Sequence, residues 1–209
     1  MKRSLFVIGD SISIHYGPYL DQMTQGVFCY SRKSGLDAAL RDLNQALGAN
    51  GGDSGHVLDY LSDMSADENW HHDILLLNCG LHDIKTDPRT GAAQVPLAAY
   101  ARNLSRIFQI AKRVAAHPVW VSSTPVDDER HQRFNPGFIR HQADLLRYNA
   151  AAAEQARLAG IPIADLADFT GKLGADLYAD HIHFTEPVRQ LQAAFLAGFV
   201  IGLLKQDES

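Results

Sequence analysis

Residues 4–11 read Ser-Leu-Phe-Val-Ile-Gly-Asp-Ser. They combine a short apolar run with a polar turn, and this stretch indicates the fold of the chain. The apolar, β-prone residues 4–8 predict a short buried strand. Gly9-Asp10-Ser11, here called the first motif, would then form the turn that follows this strand. Ligands of open parallel sheets bind beyond the carboxyl ends of the strands. Ser11 is therefore expected to point into a site rather than into the core.

Further short apolar runs alternate with helical patterns along the chain. Strands are predicted over residues 27–30, 73–79, 118–123 and 161–166, and helices over 15–25, 36–47, 57–64, 139–159, and from Pro96 and Glu186 onward. This alternation predicts an α/β fold with about five parallel strands, a three-layer α/β/α sandwich. Residues 124–135 are predicted to be a long charged connection. No repeat or linker is visible, so residues 1–209 are expected to form one domain.

The closing helix is predicted to be apolar and buried. Leu191, Ala194, Phe195 and Phe199 are expected to face inward. The apolar run at residues 193–204 is shorter than the ~20 residues that span a bilayer. This run therefore favours a core helix over a membrane anchor.

A serine hydroxyl is a weak nucleophile, so Ser11 needs a base. The segment Asp180-His181-Ile182-His183, here the fourth motif, places a carboxylate three residues before a histidine. In a tight turn Asp180 could hold one ring nitrogen of His183, while the other accepts the proton of Ser11. His181 is an alternative base, and Asp176 an alternative carboxylate.

Taken together, these motifs resemble those of the GDSL/SGNH hydrolase family. The matching positions are the first motif, Gly55 after Ser54, the third motif Gly80-Leu81-His82-Asp83, and Asp180 with His183 in the fourth motif. The resemblance implies a flavodoxin-like strand order, 2-1-3-4-5. It also implies a serine esterase in which Ser11 is the nucleophile, His183 the base and Asp180 its orienting partner. No metal and no organic cofactor is implied.

The resemblance further implies an oxyanion hole formed by the backbone N–H groups of Ser11 and Gly55 and by a side chain of the third motif. The family has asparagine where this chain has His82. A neutral imidazole offers one N–H donor, and an imidazolium offers two. The hypothesis is that His82 supplies the side-chain donor.

Other polar residues close to these motifs have predicted supporting roles. Asp10 and Asp83 are expected to hold their turns through hydrogen bonds to backbone N–H groups. Arg130, His131 and Arg133, and further along the chain Arg140 and His141, could contact a carboxylate or a sugar of the substrate, or be solvated charged residues. The long connection that carries the first three of these is typical of a lid over a ligand site.

A metal site is a competing interpretation of the histidine-rich segments. Asp180, His181 and His183 could be ligands, and His71-His72 adds two imidazoles. However, no third ligand with suitable spacing can be inferred from the sequence. The sequence therefore favours nucleophilic catalysis over metal chemistry.

Composition limits the classes of partner and the compartment. A net charge of −5 without a Lys/Arg cluster argues against nucleic-acid binding. The first residues show no signal-peptide pattern, so a cytoplasmic location is expected, although a trimmed precursor would look the same. We expect a small-molecule ester as substrate, with no membrane partner, and the oligomeric state is left open.

These observations favour hydrolysis of a short-chain acyl ester, with acetyl as the expected group, of a carbohydrate or small metabolite. Three alternatives share the fold: a lipid esterase of the lysophospholipase type, an acyltransferase, and a ligand-binding relative without catalysis.

Overall fold

The structure is a computed structural model that describes residues 2–134 and 137–206. It contains a sheet of five strands, β1 (Arg3–Ile8), β2 (Phe28–Arg32), β3 (His72–Leu77), β4 (Ala115–Val121) and β5 (Ile163–Ala164). All neighbouring strands pair in parallel, in the order β2-β1-β3-β4-β5. This confirms the flavodoxin-like order implied by the resemblance. Asn135, the last residue of the predicted charged connection, lies outside the described residues.

Eight helices connect and follow the strands in the described part of the chain. They are α1 (Ser11–Thr24), α2 (Leu36–Arg41), α3 (Ser54–Met64), α4 (Leu97–Val114), α5 (Asp128–Phe134), α6 (Gln142–Ala159), α7 (Leu166–Gly171) and α8 (Glu186–Gln206). Helix α8 packs against α1 and α7, and α4 packs against α3 and α6. Helices therefore cover both faces of the sheet, which confirms the three-layer α/β/α prediction.

The core lies along the central strands. Residues 74–77 of β3 are fully buried, as are Leu5 and Val7 of β1. Val7 pairs with Leu76, and Leu77 pairs with Trp120 of β4. Continuous apolar runs occur in strands that are covered on both faces, because no side of such a strand meets water.

Helix α1 begins at Ser11 itself rather than at the predicted residue 15. The Asp10 side chain explains the early start, because its Oδ1 atom accepts the Ile12 N–H at 2.9 Å and caps the helix. The helix then continues without a break through Gly17-Pro18.

Helix α2 ends at Arg41, before the predicted end at residue 47. Asp42 is extended, and its side chain accepts the Asn44 N–H at 2.9 Å, which favours a turn over another helical residue. The chain then folds back, and Ala49 donates to the Gly35 carbonyl at 3.1 Å. As a result, residues 42–53 form a loop that returns to the first motif.

The second half of the chain also differs locally from prediction. The charged connection contains a helix, α5, and β5 is two residues long rather than six. β5 ends at once because Asp165 caps α7, accepting the Asp168 N–H at 3.1 Å.

The inward face of helix α8 matches the prediction only in part, because Phe195 and Phe199 pack against the core whereas Leu191 and Ala194 are exposed. Leu191 is 46% exposed and Ala194 is exposed, while Phe195 and Phe199 are only partly buried. The buried residues of this helix are Val188, Gln192, Ala193, Leu196, Ala197, Val200 and Leu204. By length and composition alone, Glu186–Lys205 could cross a membrane, a criterion that core helices of globular proteins also meet.

Candidate active site

The site lies where the sheet changes the direction of its connections. From β1 the chain moves outward to β2, and it then returns past β1 to add β3, β4 and β5 on the other side. The turns after β1 and β3 therefore diverge and leave a crevice at the carboxyl ends of these strands. The first and third motifs both border this crevice, and the Asn78 N–H joins them by donating to the Ile8 carbonyl at 2.9 Å.

Ser11, His183 and Asp180 form a continuous hydrogen-bonded chain at the crevice. The Ser11 Oγ atom lies 2.8 Å from His183 Nε2, although 172 residues separate them in sequence. His183 Nδ1 lies 2.7 Å from Asp180 Oδ2. Since a carboxylate can only accept, Nδ1 carries the ring proton and Nε2 is free to accept from the serine hydroxyl.

The charge on Asp180 is strongly favoured. Partial burial raises the pKa of Asp180, but hydrogen bonds from the His183 ring and from the backbone N–H groups of His183 and Ile182 lower it by more. The net effect holds the pKa well below its ordinary value of 3.8. Asp180 is thus ionised throughout the pH range in which His183 acts as a base.

His15 packs against the ring of His183, and the sequence pattern does not identify it as a site residue. Its ring centroid lies 4.8 Å from that of His183, edge to face. Burial, followed by the nearby His183, lowers the pKa of His15 to about 4. Its spacing from Ser11, four residues along one helix, would have placed it on the same face if the helix start had been predicted correctly.

His82 in the third motif is buried at the crevice, with 2% of its surface exposed. Burial, followed by the positive charges of Lys85 and Arg140, holds the pKa of His82 well below 6.5. The ring is therefore neutral near pH 7 and offers a single N–H. Among the described residues, no hydrogen-bond partner contacts its Nε2 atom.

Gly55 does not have a free donor. Its N–H donates to Asp53 Oδ1 at 2.9 Å, and the next N–H, of His56, donates to the same oxygen at 3.1 Å. Asp53 is the N-cap of α3, so these N–H groups serve the helix cap. This hydrogen bond contradicts the prediction that Gly55 donates to an oxyanion.

The glycine-rich loop before α3 nevertheless contacts the first motif. The Gly51 N–H donates to the Gly9 carbonyl at 2.9 Å. A Cβ atom at position 51 would lie 3.1 Å from that carbonyl oxygen, which is tighter than ordinary contact. Glycine thus allows the two backbones to approach closely.

Asp10 and Asp83 are buried carboxyl groups that order these turns. Asp10 caps α1, and burial raises its pKa. Asp83 reaches beyond its own turn, because its two oxygens accept the Ser54 N–H at 2.9 and 3.1 Å. Asp83 thereby ties the third motif to the start of α3.

The three predicted substrate contacts in the charged connection have different surroundings. His131 is fully buried; its Nε2–H donates to the Phe138 carbonyl at 3.2 Å, which contradicts direct contact with a substrate. The Arg130 guanidinium lies over the Tyr178 ring, 5.8 Å from its centroid. Arg133 is exposed on α5.

His181 contacts His131 rather than Ser11. The two Nδ1 atoms are 3.0 Å apart, and because His131 Nε2 is the donor to Phe138, the His181 Nδ1–H donates to His131. Burial, followed by the charge of Arg140, lowers the pKa of His181 to about 4. Within residues 2–134 and 137–206, no group of three or more potential ligands is arranged to hold a metal ion.

Arg140 lies just before α6, and the sequence pattern does not single it out from its charged neighbours. It is 2% exposed, and its Nε atom donates to the Leu81 carbonyl of the third motif at 2.6 Å. Its guanidinium lies over the Phe138 ring, 4.7 Å from the centroid.

Comparison with solved structures finds the same fold in bacterial hydrolases. A lipase/acylhydrolase from Enterococcus faecalis is 16% identical, with 96% of each chain covered and a TM-score of 0.72. An acetyl xylan esterase, AlAXEase, is 14% identical, covering 94% of this chain and 99% of its own, with a TM-score of 0.66. A mutant of Axe2, an acetyl-xylooligosaccharide esterase from Geobacillus Stearmophilus, is also 14% identical (93% and 92% covered, TM-score 0.66). No curated protein matches the chain.

The low sequence identities to these solved structures establish the fold alone, whereas a match to a family model assigns the chain to a family. The model of the GDSL-like lipase/acylhydrolase family matches residues 7–191, which include the first, third and fourth motifs. The chain therefore belongs to the GDSL/SGNH family of ester-bond hydrolases.

Proposed function

We propose that this hydrolase is a serine esterase that removes short acyl groups, acetyl foremost, from a carbohydrate or another small metabolite. The observation that carries the proposal is the hydrogen-bonded chain from Ser11 through His183 to Asp180. It supplies a nucleophile, a base and an orienting carboxylate in contact with one another. Neither a cofactor nor a membrane is part of the proposal.

Acylation would begin at the serine hydroxyl. Ser11 Oγ attacks the ester carbonyl carbon while its proton passes to His183 Nε2, and Asp180 stabilises the imidazolium that forms. The carbonyl oxygen becomes an oxyanion. Collapse of this intermediate breaks the bond to the alcohol, which takes the proton from His183 and leaves an acyl-serine.

Two donors are proposed for the oxyanion. The Ser11 N–H lies in the first turn of α1, where no earlier carbonyl of the helix can accept it. The His82 ring of the third motif would be the second donor, since in its neutral form it carries one N–H. Both groups are held in place before the charge develops, which is what makes such donors effective.

Deacylation would repeat these steps with water. His183 Nε2 takes a proton from water, whose oxygen attacks the acyl carbon. The carboxylic acid then leaves as Ser11 recovers its proton from His183. An acyltransferase would admit an acceptor alcohol here instead of water.

The preference for a short acyl group is supported by the burial of Ser11, which is only 5% exposed. A cavity of about 730 Å³ lies between α6 and α7, and its lining includes neither Ser11 nor His183. The acetyl esterases among the structural neighbours point to the same choice, although their low identity carries the fold alone.

Hydrolysis of p-nitrophenyl acetate tests the proposal. Wild type should be active and Ser11→Ala should lose activity by several orders of magnitude without a change in melting temperature, because only the nucleophile is removed. Ser65→Ala is the matched control, since this exposed hydroxyl donates only to the carbonyl of Ser62 nearby in the chain. Activity retained in Ser11→Ala would overturn the assignment.

Two further measurements define the reaction. An organophosphonate should add to Ser11, as seen by peptide mass. A series of acyl chain lengths, followed by acetylated sugars with and without added alcohols, should favour acetyl hydrolysis. Preference for long chains would favour a lipid esterase, and acyl transfer to the alcohol would favour a transferase.

A further inference from the structure

Arg140 is a buried cation at the meeting point of three catalytic turns. Burying a guanidinium is costly unless charges and hydrogen bonds compensate for the lost water. Here burial lowers the pKa of Arg140 to about 10, and the nearby carboxylates of Asp10 and Asp180 oppose that shift. These two carboxylates belong to the first and fourth motifs.

The third motif receives a direct hydrogen bond from the same side chain. Arg140 Nε donates to the Leu81 carbonyl at 2.6 Å, a short contact for N–H···O. The guanidinium also contacts the Phe138 ring, with its central carbon 4.7 Å from the ring centroid. One rigid group therefore faces the first, third and fourth motifs.

The Leu81 carbonyl is part of the peptide that leads into His82. A peptide group is planar, so holding its oxygen also restricts the direction in which the next Cα–Cβ bond leaves the chain. Through this peptide, Arg140 can influence where the His82 imidazole points without touching the substrate.

We propose that Arg140 is a positioning residue that holds the Leu81–His82 peptide and so aims the His82 imidazole at the oxyanion. This inference rests on the proposed esterase function and adds a residue to it. A displacement of about 1 Å at a reacting group can cost on the order of 10²-fold in rate, so loss of this hydrogen bond should be visible in turnover.

The charge of Arg140 has a separate effect. Its positive charge contributes to the low pKa values of His82, His131 and His181. Lysine would keep the charge but not the planar fork that reaches Leu81 while contacting Phe138. Arg140→Lys and Arg140→Gln therefore separate position from charge.

The kinetic experiment compares both variants with wild type on p-nitrophenyl acetate. We expect kcat to fall on the order of 10²-fold in each, with KM within about threefold, because the hydrogen bond positions a group used in the transition state. Arg147→Gln is the matched control, since this exposed arginine pairs with Asp144 on its own helix. Wild-type turnover in both Arg140 variants would overturn the inference.

A spectroscopic readout distinguishes positioning from a general loss of structure. The His82 ring ¹⁵N signals, assigned with His82→Asn, should report a changed ring environment in both Arg140 variants. The pKa of His82 should rise in Arg140→Gln and stay low in Arg140→Lys. An unchanged His82 signal in a slow variant would overturn the inference. If Arg140→Gln does not fold, Arg140→Lys decides by itself.

The esterase assignment can fail separately. Activity in Ser11→Ala would overturn the proposed function, whereas inactive Ser11→Ala with fully active Arg140 variants would overturn only the role of Arg140.

Discussion

His82 is the residue at which this chain departs from the motif pattern of the hydrolases it resembles. A neutral imidazole and a carboxamide can each present an N–H donor, but they differ in reach. Burial leaves His82 neutral and without a partner for Nε2 within the described residues. The chemistry of the oxyanion hole can thus be preserved although the residue type differs.

Two substitutions of His82 should separate the loss of its N–H donor from the replacement of that donor by another. His82→Ala should lower kcat on p-nitrophenyl acetate by about 10²–10³-fold, the usual cost of removing one oxyanion donor. His82→Asn should retain much more activity because its amide can still donate. Melting curves of both variants control for the cavity, and equal activity in His82→Ala and wild type would eliminate the role.

The raised pKa of Asp83 leads to a second prediction at the residue scale, which concerns the free energy of unfolding rather than the rate of catalysis. Burial raises the pKa of Asp83 to about 7, assisted by the charge of Asp53 and opposed by the hydrogen bonds from Ser54. The folded protein therefore binds this proton more tightly than the unfolded chain, where the value is near 3.8. The resulting stabilisation is complete below about pH 4 and is lost as the pH rises through 7.

Asp83→Asn should remove this dependence because an amide does not titrate. Urea unfolding at pH 5 and pH 8 should show a larger decline in the free energy of unfolding for wild type than for Asp83→Asn. The exposed Asp63→Asn variant is the control and should decline like wild type. Identical declines in wild type and Asp83→Asn would contradict a raised pKa.

At the scale of elements, α8 buries a mostly apolar stripe that includes one polar side chain, Gln192. The periodicity of Leu191, Ala194, Phe195 and Phe199 suggests an inward stripe, but the helix buries the stripe that contains Gln192. Gln192 Nε2 donates to Thr170 Oγ1 of α7 at 3.1 Å, which offsets part of the cost of burying this side chain, whereas its Oε1 atom has no partner within the described residues.

Alanine substitutions on the two faces of α8 should therefore differ in cost. Leu196→Ala should lower the free energy of unfolding by about 2–5 kcal/mol, since it leaves a cavity in a packed interface. Leu191→Ala, on the exposed face, should cost about 0.5 kcal/mol or less. Urea unfolding measures both, and a larger loss for Leu191→Ala would restore the face predicted from periodicity.

At the scale of the whole molecule, the site depends on both ends of the chain. Ser11 begins α1, the fourth motif leads into α8, and these two helices pack against each other. The distance of 2.8 Å between Ser11 and His183 is therefore maintained by the sheet and by one helix interface.

Loss of activity and loss of secondary structure should coincide during urea unfolding. If residues 1–209 behave as one cooperative domain, esterase activity and far-ultraviolet circular dichroism should share a midpoint. Tryptophan fluorescence provides a third signal. Activity lost at a clearly lower urea concentration would show that the fourth motif opens before the sheet, and would contradict this expectation.

Local sequence was sufficient for much of this architecture. The uninterrupted apolar residues of β3 predict a buried parallel strand. Asp180 and His183 are close enough in sequence for a single turn to bring them together. The glycine and carboxylate before Ser11 likewise mark a turn and a helix cap. These features depend on residues only a few positions apart, so a short stretch of sequence is enough to predict them.

The tertiary structure alone decided which donors are free and which side chains are accessible. Gly55 has a suitable N–H, but Asp53 already accepts it; His131 has a suitable ring, but packing buries it. Arg140 acquires its place only when three turns, distant in sequence, converge on its side chain. Competition for a hydrogen bond and exclusion of water depend on every group nearby in space, which a linear pattern does not specify.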